Sequence, residues 1–240
     1  MNFNHNLLLS ASRKSWKMSS THGTRHSREY EKKYKSIWDS IWKRDNYTCY
    51  FCNFHSKDFQ EIHHLNDDHE DNSKDNLVTI CPLCHQCFHL DTVSLTNGGK
   101  IIWLPEFSQQ ELNYISRAIF VAIEHAEQAE EKNEDAIGFT KIARMLENNL
   151  LERAIVVDQS FQAGASEPVV FANALINMSE ATYQQRDKFL RPFRLLSLRS
   201  RFPVQTRYWK NKEFKNSPVE NWEQLVINRL TNEQINEQID

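Results

Sequence analysis

The sequence predicts an α+β fold in which a four-cysteine zinc finger is embedded in a mainly helical domain. Two tight cysteine pairs predict the finger: Cys49-Tyr-Phe-Cys52 and Cys81-Pro-Leu-Cys84. Apolar residues recur at helical spacing in several segments, and only 5 of the 240 residues are glycine, which favours helices. A chain of this length can bury a core and is expected to form one or two domains.

The order of these signals predicts four parts. Residues 1–28 are expected to be partly disordered or to form a short hairpin. Residues 29–105 form the zinc-binding module with its leading helix, and residues 106–215 form a helical domain. Residues 216–240 are expected to be a C-terminal helix and tail.

The leading helix is predicted from Glu29 to Asp45, where aromatic and aliphatic side chains recur at helical spacing. We expect this stripe to pack in the core. Its members are Tyr30, Tyr34, Ile37, Trp38, Ile41 and Trp42.

The segments after the finger carry turn and capping signals. Asn97-Gly98-Gly99-Lys100 predicts a hairpin turn, and Ile101–Leu104 predicts the strand that follows it. Ser108-Gln-Gln-Glu111 is a capping box at the start of a helix. Ser166-Glu-Pro168 and Ser217-Pro218-Val-Glu220 each predict a further helix start, because proline is favoured in the first helical turn.

Charge is segregated along the chain although the net charge is only −3, which argues against a general polyanion-binding protein. Residues 13–44 and 186–215 are basic, whereas residues 58–75 and 124–152 are acidic. Such blocks form solvated faces or docking surfaces for nucleic acid or for an acidic protein tail.

Cysteine use and hydropathy predict a reduced compartment. The apolar run Leu7–Leu9 is too short for a signal peptide, and no run approaches the ~20 apolar residues of a membrane span. Five cysteines without a secretion signal favour bound zinc over disulfides, so we expect a cytoplasmic protein.

Each cysteine pair is a hook that places two sulfur atoms on the same side of a tight turn. Four thiolates at about 2.3 Å from one ion form a closed, structural Zn²⁺ site. Cys87 lies three residues after Cys84 and is predicted to be a buried free thiol rather than a ligand.

The histidines around the hooks resemble those of the HNH (ββα-metal) nuclease finger. The matching residues are His63-His64, Asn76, His85 and His89. The resemblance implies that His64 is the general base, and that His63, His85 and His89 hold a second divalent metal ion. It also implies that Asn76 braces the loop that orients His64. The i, i+4 spacing of His85 and His89 would bring them together on a helix.

The loop Asn66–Asp75 differs from this family because it lacks the usual glycine pair and is rich in aspartate. Acidic side chains beside the site repel phosphate and would slow the docking of nucleic acid. The alternatives are therefore an active endonuclease and a scaffold that has retained its histidines.

A longer pattern extends from residue 5 to about residue 215. It consists of these segments: Lys43-Arg-Asp-Asn-Tyr-Thr-Cys-Tyr-Phe-Cys52, Asn76-Leu-Val-Thr79, Cys84-His-Gln-Cys-Phe88, Ile102-Trp-Leu-Pro-Glu106, Gln110-Glu-Leu-Asn113, Ser166-Glu-Pro-Val-Val-Phe171 and Phe193-Arg-Leu-Leu-Ser197. Together these segments resemble the IcmJ (DotN) family of Dot/Icm, or type IVB, secretion systems.

This resemblance implies a cytosolic adaptor that binds the C-terminal extension of the coupling-protein ATPase and other coupling-complex subunits. Through these partners it would be located at the cytosolic face of the inner membrane. Residues 186–215 are then a candidate docking surface for an acidic segment of that tail.

The alternative is a metal-dependent HNH endonuclease that hydrolyses DNA, and nucleic acid is a partner only under that alternative. Family members are regarded as lacking nuclease activity, with the catalytic histidines replaced. Here all five motif residues are present.

Overall fold

The computed structural model describes residues 5–11, 28–127, 134–217 and 219–222. Within these ranges, no helix is both long enough and apolar enough to cross a membrane.

The chain divides into two units. Met1–Ser116 and Asn149–Arg201 form the first, and Arg117–Asn148 and Phe202–Asp240 form the second. The four parts predicted from the sequence, with boundaries at residues 28, 105 and 215, remain predictions.

The described elements alternate between short strands and helices of very different length. In chain order the helices are α1 (Arg28–Arg44), α2 (Pro82–His85), α3 (Leu90–Val93), α4 (Gln109–Glu127), α5 (Glu134–Ser160), α6 (Pro168–Asn177), α7 (Glu180–Tyr183), α8 (Arg186–Leu190) and α9 (Pro203–Tyr208). The strands are β1 (Glu61–His64), β2 (Leu77–Ile80), β3 (Gly99–Trp103) and β4 (Phe193–Ser197). This combination confirms the predicted α+β class.

Helix α1 agrees with the predicted helix and anchors the sheet that follows. At its end, the Asp45 carboxylate accepts the Thr79 backbone N–H at 2.8 Å. The Arg44 guanidinium donates to the Leu77 carbonyl at 2.8 Å and to the Lys74 carbonyl at 2.7 Å. Two charged side chains therefore fix both the start and the middle of β2.

Strands β1 and β2 form an antiparallel pair in which Glu61 lies opposite Ile80 and His64 lies opposite Leu77. Because side chains alternate along a strand, Glu61 and His63 project to one face and His64 to the other. All four residues of β2 are buried. The pair thus forms a rigid base for the histidines.

The second sheet differs from the prediction of a hairpin at Asn97–Lys100. The strand is present, but β3 pairs with β4, from which it is separated by about 90 residues of chain. Asn97 adopts the left-handed conformation (φ 47°) at the end of a short helical turn, so it caps this turn and does not connect two strands. At Gly99, an added Cβ would lie 2.9 Å from the Leu196 carbonyl oxygen, and glycine permits this close pairing.

A small apolar core lies beneath this sheet in the first unit. It consists of Ile102, Leu104, Leu112, Ala154 and Leu196.

The predicted capping box at the start of α4 is confirmed. The Ser108 backbone N–H donates to the Glu111 carboxylate at 2.7 Å, and the Glu111 N–H donates to Ser108 Oγ at 3.2 Å. Helix α6 begins at Pro168, as predicted. Of the predicted C-terminal helix, Val219–Asn221 forms a short helical turn, and residues 223–240 lie outside the described residues.

Residues 5–11 run alongside the segment that follows the second cysteine hook. The Ser10 N–H donates to the Cys87 carbonyl at 2.8 Å, and the Leu90 N–H donates to the Ser10 carbonyl at 3.2 Å. Leu7 and Leu9 are buried. The predicted N-terminal hairpin would need residues 12–18, which lie outside the described ranges.

In the second unit, Arg117 is almost fully buried, and its guanidinium lies 5.4 Å from the centre of the Trp209 ring. Phe120 and Phe202 stack at 6.4 Å. The Arg207 guanidinium donates to the buried Glu124 carboxylate at 3.3 Å. A buried cation over an aromatic ring thus stabilises this unit.

Candidate metal centre

The two cysteine hooks are placed by different local structures. Cys49 and Cys52 lie on a turn that closes when the Asn53 N–H donates to the Cys49 carbonyl at 2.9 Å, with Asn53 in the left-handed conformation (φ 58°). Cys81 directly precedes α2, which starts with Pro82, and Cys84 lies within that helix. The Tyr50 N–H donates to the Thr79 carbonyl at 2.8 Å and so joins the two hooks.

The four cysteines converge at a fully buried point. Their Sγ atoms all lie within 4.8 Å of one another, and each residue has 0% of its surface exposed. The sulfur atoms of Cys52 and Cys81 are 3.6 Å apart. Sulfurs bound tetrahedrally at about 2.3 Å from one ion lie about 3.8 Å apart, so this separation fits a shared ion.

Electrostatics also favours a cation at this point. Burial raises the pKa values of the Cys81 and Cys84 thiols well above the ordinary cysteine value. Buried thiolates are therefore unfavourable unless a positive charge compensates them. A divalent ion supplies that charge, so this donor set can hold a metal ion.

Cys87 is buried but does not belong to the four-sulfur group, as predicted. Its thiol donates to the Leu83 carbonyl at 3.5 Å, and burial raises its pKa. A protonated thiol of this kind is a packing residue.

The ligand nitrogens of His63, His85 and His89 form a second convergent group, all within 4.8 Å of one another. The Nε2 atoms of His85 and His89 are 3.1 Å apart. Nitrogens that share an ion at about 2.1 Å are separated by roughly 3.0–3.4 Å. The three side chains therefore have the geometry of a metal site.

The backbone brings these histidines together differently from the predicted helix. Helix α2 ends at His85, and a tighter turn over Gln86–Phe88 leads to His89, which has a non-helical conformation. The prediction of one continuous helix was wrong, but the two side chains still meet.

The protonation states in this group suit a metal. Burial, reinforced by the nearby His85, lowers the pKa of His63 to about 2. Burial and His85 also lower the pKa of His89 well below the ordinary histidine value. Both rings are neutral at pH 7, and the neutral imidazole is the form that binds metals.

Glu61 orients the third ring. Its carboxylate contacts Nδ1 of His85 at 2.5 Å, which leaves Nε2 of that ring directed towards His89. A carboxylate behind a metal-binding histidine fixes the tautomer in this way. Sequence reasoning gave Glu61 no role, although it lies two residues before His63 and so projects to the same face of β1.

His64 lies outside this group, although its ring is close enough to those of His63 and His85 to interact with them electrostatically. Its Nε2 is 3.4 Å from the Asn72 side-chain oxygen, and its ring centre is 4.7 Å from that of His69. Burial lowers its pKa, so the ring is neutral. Its assignment as general base remains a prediction.

Asn76 closes the acidic loop between β1 and β2. Its amide donates to the Asp71 carbonyl at 2.8 Å, and its oxygen accepts the Asn66 N–H at 3.0 Å. Within the loop, Asp68 and Asp71 accept backbone N–H groups two residues further on, at 3.0 Å and 3.1 Å. The loop is thus held by local polar contacts, with its carboxylates beside His64.

Comparison with known proteins identifies a relative. No family model matches the chain. The chain is 32% identical over 169 residues to a protein of Legionella pneumophila subsp. pneumophila (strain Philadelphia 1), the type 4 apparatus protein DotN. The alignment covers 70% of this chain and 74% of DotN. The similarity therefore extends far beyond the metal-binding module.

Proposed function

This chain belongs to the family of the type 4 apparatus protein DotN, and we propose that it is an adaptor of a type IVB secretion coupling complex. In this proposal, a zinc-stabilised, HNH-like scaffold binds the C-terminal tail of the coupling-protein ATPase and supports effector export. The observation that carries it is the 32% identity to DotN across 70% of the chain.

The metal of the scaffold is proposed to be Zn²⁺. Four sulfur donors within 4.8 Å of one another suit a soft, tetrahedral ion, and Zn²⁺ is the common one with a four-cysteine set. Two of the four ligands precede strand β1 in the sequence, and the other two follow strand β2. Bound Zn²⁺ therefore contributes to the free energy of folding, because it joins these two segments.

The proposed tail-binding surface lies in the first unit, beside α8. A cavity of 660 Å³ is lined by apolar side chains, among them Leu8, Phe107 and Leu190, and by the exposed cations Lys188 and Arg191. Two carboxylates also line it, those of Asp187 and of Glu106, and the latter is paired with Arg153. Apolar surface with flanking positive charge suits an acidic segment that also carries apolar anchors.

Arg194, which also lines the cavity, has a structural role. Its guanidinium donates to the carbonyls of Phe107 at 2.6 Å, Arg191 at 2.5 Å and Phe193 at 2.7 Å. Replacing Arg194 would remove all three hydrogen bonds, so a test of charge must spare it.

The test measures binding of the purified ATPase tail to a charge-reversed double variant, Lys188→Glu with Arg191→Glu. The loss of two exposed attractive charges and the gain of two repulsive ones is expected to weaken binding at least tenfold, or about 1.4 kcal/mol. Lys57→Glu is the matched control, because this lysine is exposed, does not line the cavity and lies outside residues 186–215. Wild-type affinity in the double variant would contradict the proposed surface, and no binding by the wild-type protein would contradict the adaptor.

A second function, a metal-dependent HNH endonuclease, is favoured by the convergence of His63, His85 and His89. These residues would hold a divalent ion, which stabilises negative charge on the phosphate and the leaving oxygen. His64, neutral in its buried position, would take the proton from water, and Asn76 would hold the loop that positions it. The carboxylates of Asp68 and Asp71 oppose this function, because they repel a phosphate backbone.

Plasmid nicking separates the two functions. The purified protein is incubated with supercoiled DNA and Mg²⁺, Mn²⁺, Ni²⁺ or Zn²⁺. The adaptor proposal predicts no cleavage with any metal. Nicking that is lost in His64→Ala but kept in His55→Ala, an exposed histidine outside both metal-binding groups, would establish the enzyme.

A further inference from the structure

Two buried amides connect the cysteine site to the second sheet of the first unit. Gln109 is 3% exposed and Asn113 is 1% exposed. Burying an amide without hydrogen bonds costs free energy, so each of their polar atoms needs a partner. The partners form one continuous chain of hydrogen bonds from β4 to a cysteine sulfur.

The direction of this chain is fixed by a backbone group. The Leu195 N–H donates to Gln109 Oε1 at 2.8 Å, and the Leu195 carbonyl accepts from Gln109 Nε2 at 2.9 Å. A backbone N–H can only donate and a carbonyl can only accept, so Gln109 has a single orientation.

That orientation determines the orientation of the next amide. Gln109 Nε2 also donates to Asn113 Oδ1 at 3.0 Å. Since Oδ1 is the acceptor, the Nδ2 group of Asn113 points the other way. It donates to the Cys84 sulfur at 3.3 Å and also contacts the Cys87 thiol, and of these two sulfurs only that of Cys84 belongs to the four-sulfur group. The direction of donors and acceptors along this series of hydrogen bonds thus places an N–H donor on the Cys84 sulfur.

A donor at this position favours a thiolate over a thiol, because a hydrogen bond to the charged form stabilises it. Four thiolates with one divalent ion carry a net charge of −2 in a site with no exposed surface. An N–H group disperses part of that charge, and hydrogen bonds behind a ligand typically change metal affinity by 10–100-fold.

We infer that Asn113, held in place by Gln109, is a positioning residue that raises the metal affinity of the four-cysteine site by hydrogen bonding to Cys84. The inference rests on the proposed zinc site and is independent of the adaptor function. It links the metal centre to strand β4, since the last anchor of the chain is the Leu195 backbone.

The first test is zinc affinity, measured by competition with a chromophoric chelator. Asn113→Leu keeps the branched shape of the side chain and removes the donor, and its zinc Kd is expected to rise 10–100-fold. Asn113→Asp keeps the acceptor for Gln109 but places a negative charge on the sulfur, and a larger rise is expected. Ser116→Ala is the control, because Ser116 is equally buried on the same helix and its hydroxyl makes no hydrogen bond to the described residues.

The second test needs no substitution. In the wild-type protein loaded with ¹¹³Cd²⁺, a scalar coupling between cadmium and an Asn113 side-chain amide proton is expected across the N–H···S bond. An absent coupling together with an unchanged zinc Kd in Asn113→Leu would overturn the inference alone. Failure of the wild-type protein to bind one equivalent of zinc would overturn the zinc site and this inference together.

Discussion

The cysteine and histidine halves of the module both gather ligand atoms within 4.8 Å, but they differ in burial and charge. All four cysteines are fully buried and must be anionic to bind a metal. The histidines bind as neutral rings, and His85 and His89 are only half-buried. A buried anionic set needs its ion in order to fold, whereas a set of neutral rings can stay folded without one. We therefore infer that metal binding by the cysteines is needed for folding, whereas metal binding by the histidines is not and can serve a separate function.

The largest expected effect is that of Cys81→Ser. It removes one of four zinc ligands from a site without exposed surface, and its cost should exceed about 5 kcal/mol, the low end of the stability of a whole domain. We expect loss of bound zinc in elemental analysis and loss of the cooperative unfolding transition in calorimetry.

Cys87→Ser is the matched control, because Cys87 is equally buried but lies outside the four-sulfur group. It should keep one equivalent of zinc and cost about 1–3 kcal/mol, as burial of a hydroxyl in place of a thiol requires. If Cys81→Ser has the same melting temperature as the wild-type protein, metal binding by the cysteines is not required for folding.

A smaller effect is expected for Asn76→Ala in the histidine half. The substitution removes two hydrogen bonds that close the acidic loop, to the Asp71 carbonyl and from the Asn66 N–H. The cost should be about 1–3 kcal/mol, and hydrogen exchange at the Asn66 amide should accelerate while β2 stays protected. Asn148→Ala, on an exposed helical position, should change stability by less than about 0.5 kcal/mol. Protection of the Asn66 amide that survives the change would show that the loop is held by other contacts.

These two halves also mark what the sequence could predict. The hooks and the histidine motif follow from local spacing, and α1 and the capping box at Ser108–Glu111 follow from local periodicity and capping chemistry. All of these signals lie within a few residues, where the chain geometry limits the alternatives.

Non-local contacts were not predictable in this way. The pairing of β3 with β4 joins segments about 90 residues apart, and Asn97-Gly98 is equally suited to ending a helical turn or to forming a hairpin. The donor on the Cys84 sulfur comes from α4, whose buried polar positions Gln109 and Asn113 do not show in an apolar pattern. Such contacts depend on which surfaces meet, and spacing alone does not specify that.

The smallest effect on stability, and the sharpest on function, is expected for Glu61→Gln. The Glu61 side chain is 47% exposed, so its pairing with His85 contributes less than about 1 kcal/mol to folding. Its carboxylate nevertheless holds the His85 ring with Nε2 towards His89, and replacing it by an amide should weaken divalent-metal binding to the histidines by 10–100-fold. Isothermal titration with Ni²⁺, after the cysteine site has been filled with one equivalent of Zn²⁺, measures this second binding event alone.

Glu106→Gln is the matched control, because Glu106 is 52% exposed and pairs with Arg153 at 3.0 Å without contacting either group of metal ligands. Both variants should melt within about 1 kcal/mol of the wild-type protein and retain the first zinc ion, but only Glu61→Gln should lose affinity for the second metal. Equal Ni²⁺ binding by both variants would mean that the histidines do not form a site oriented by Glu61. Because stability is unchanged in either case, the result reports on the histidine half separately from the cysteine half.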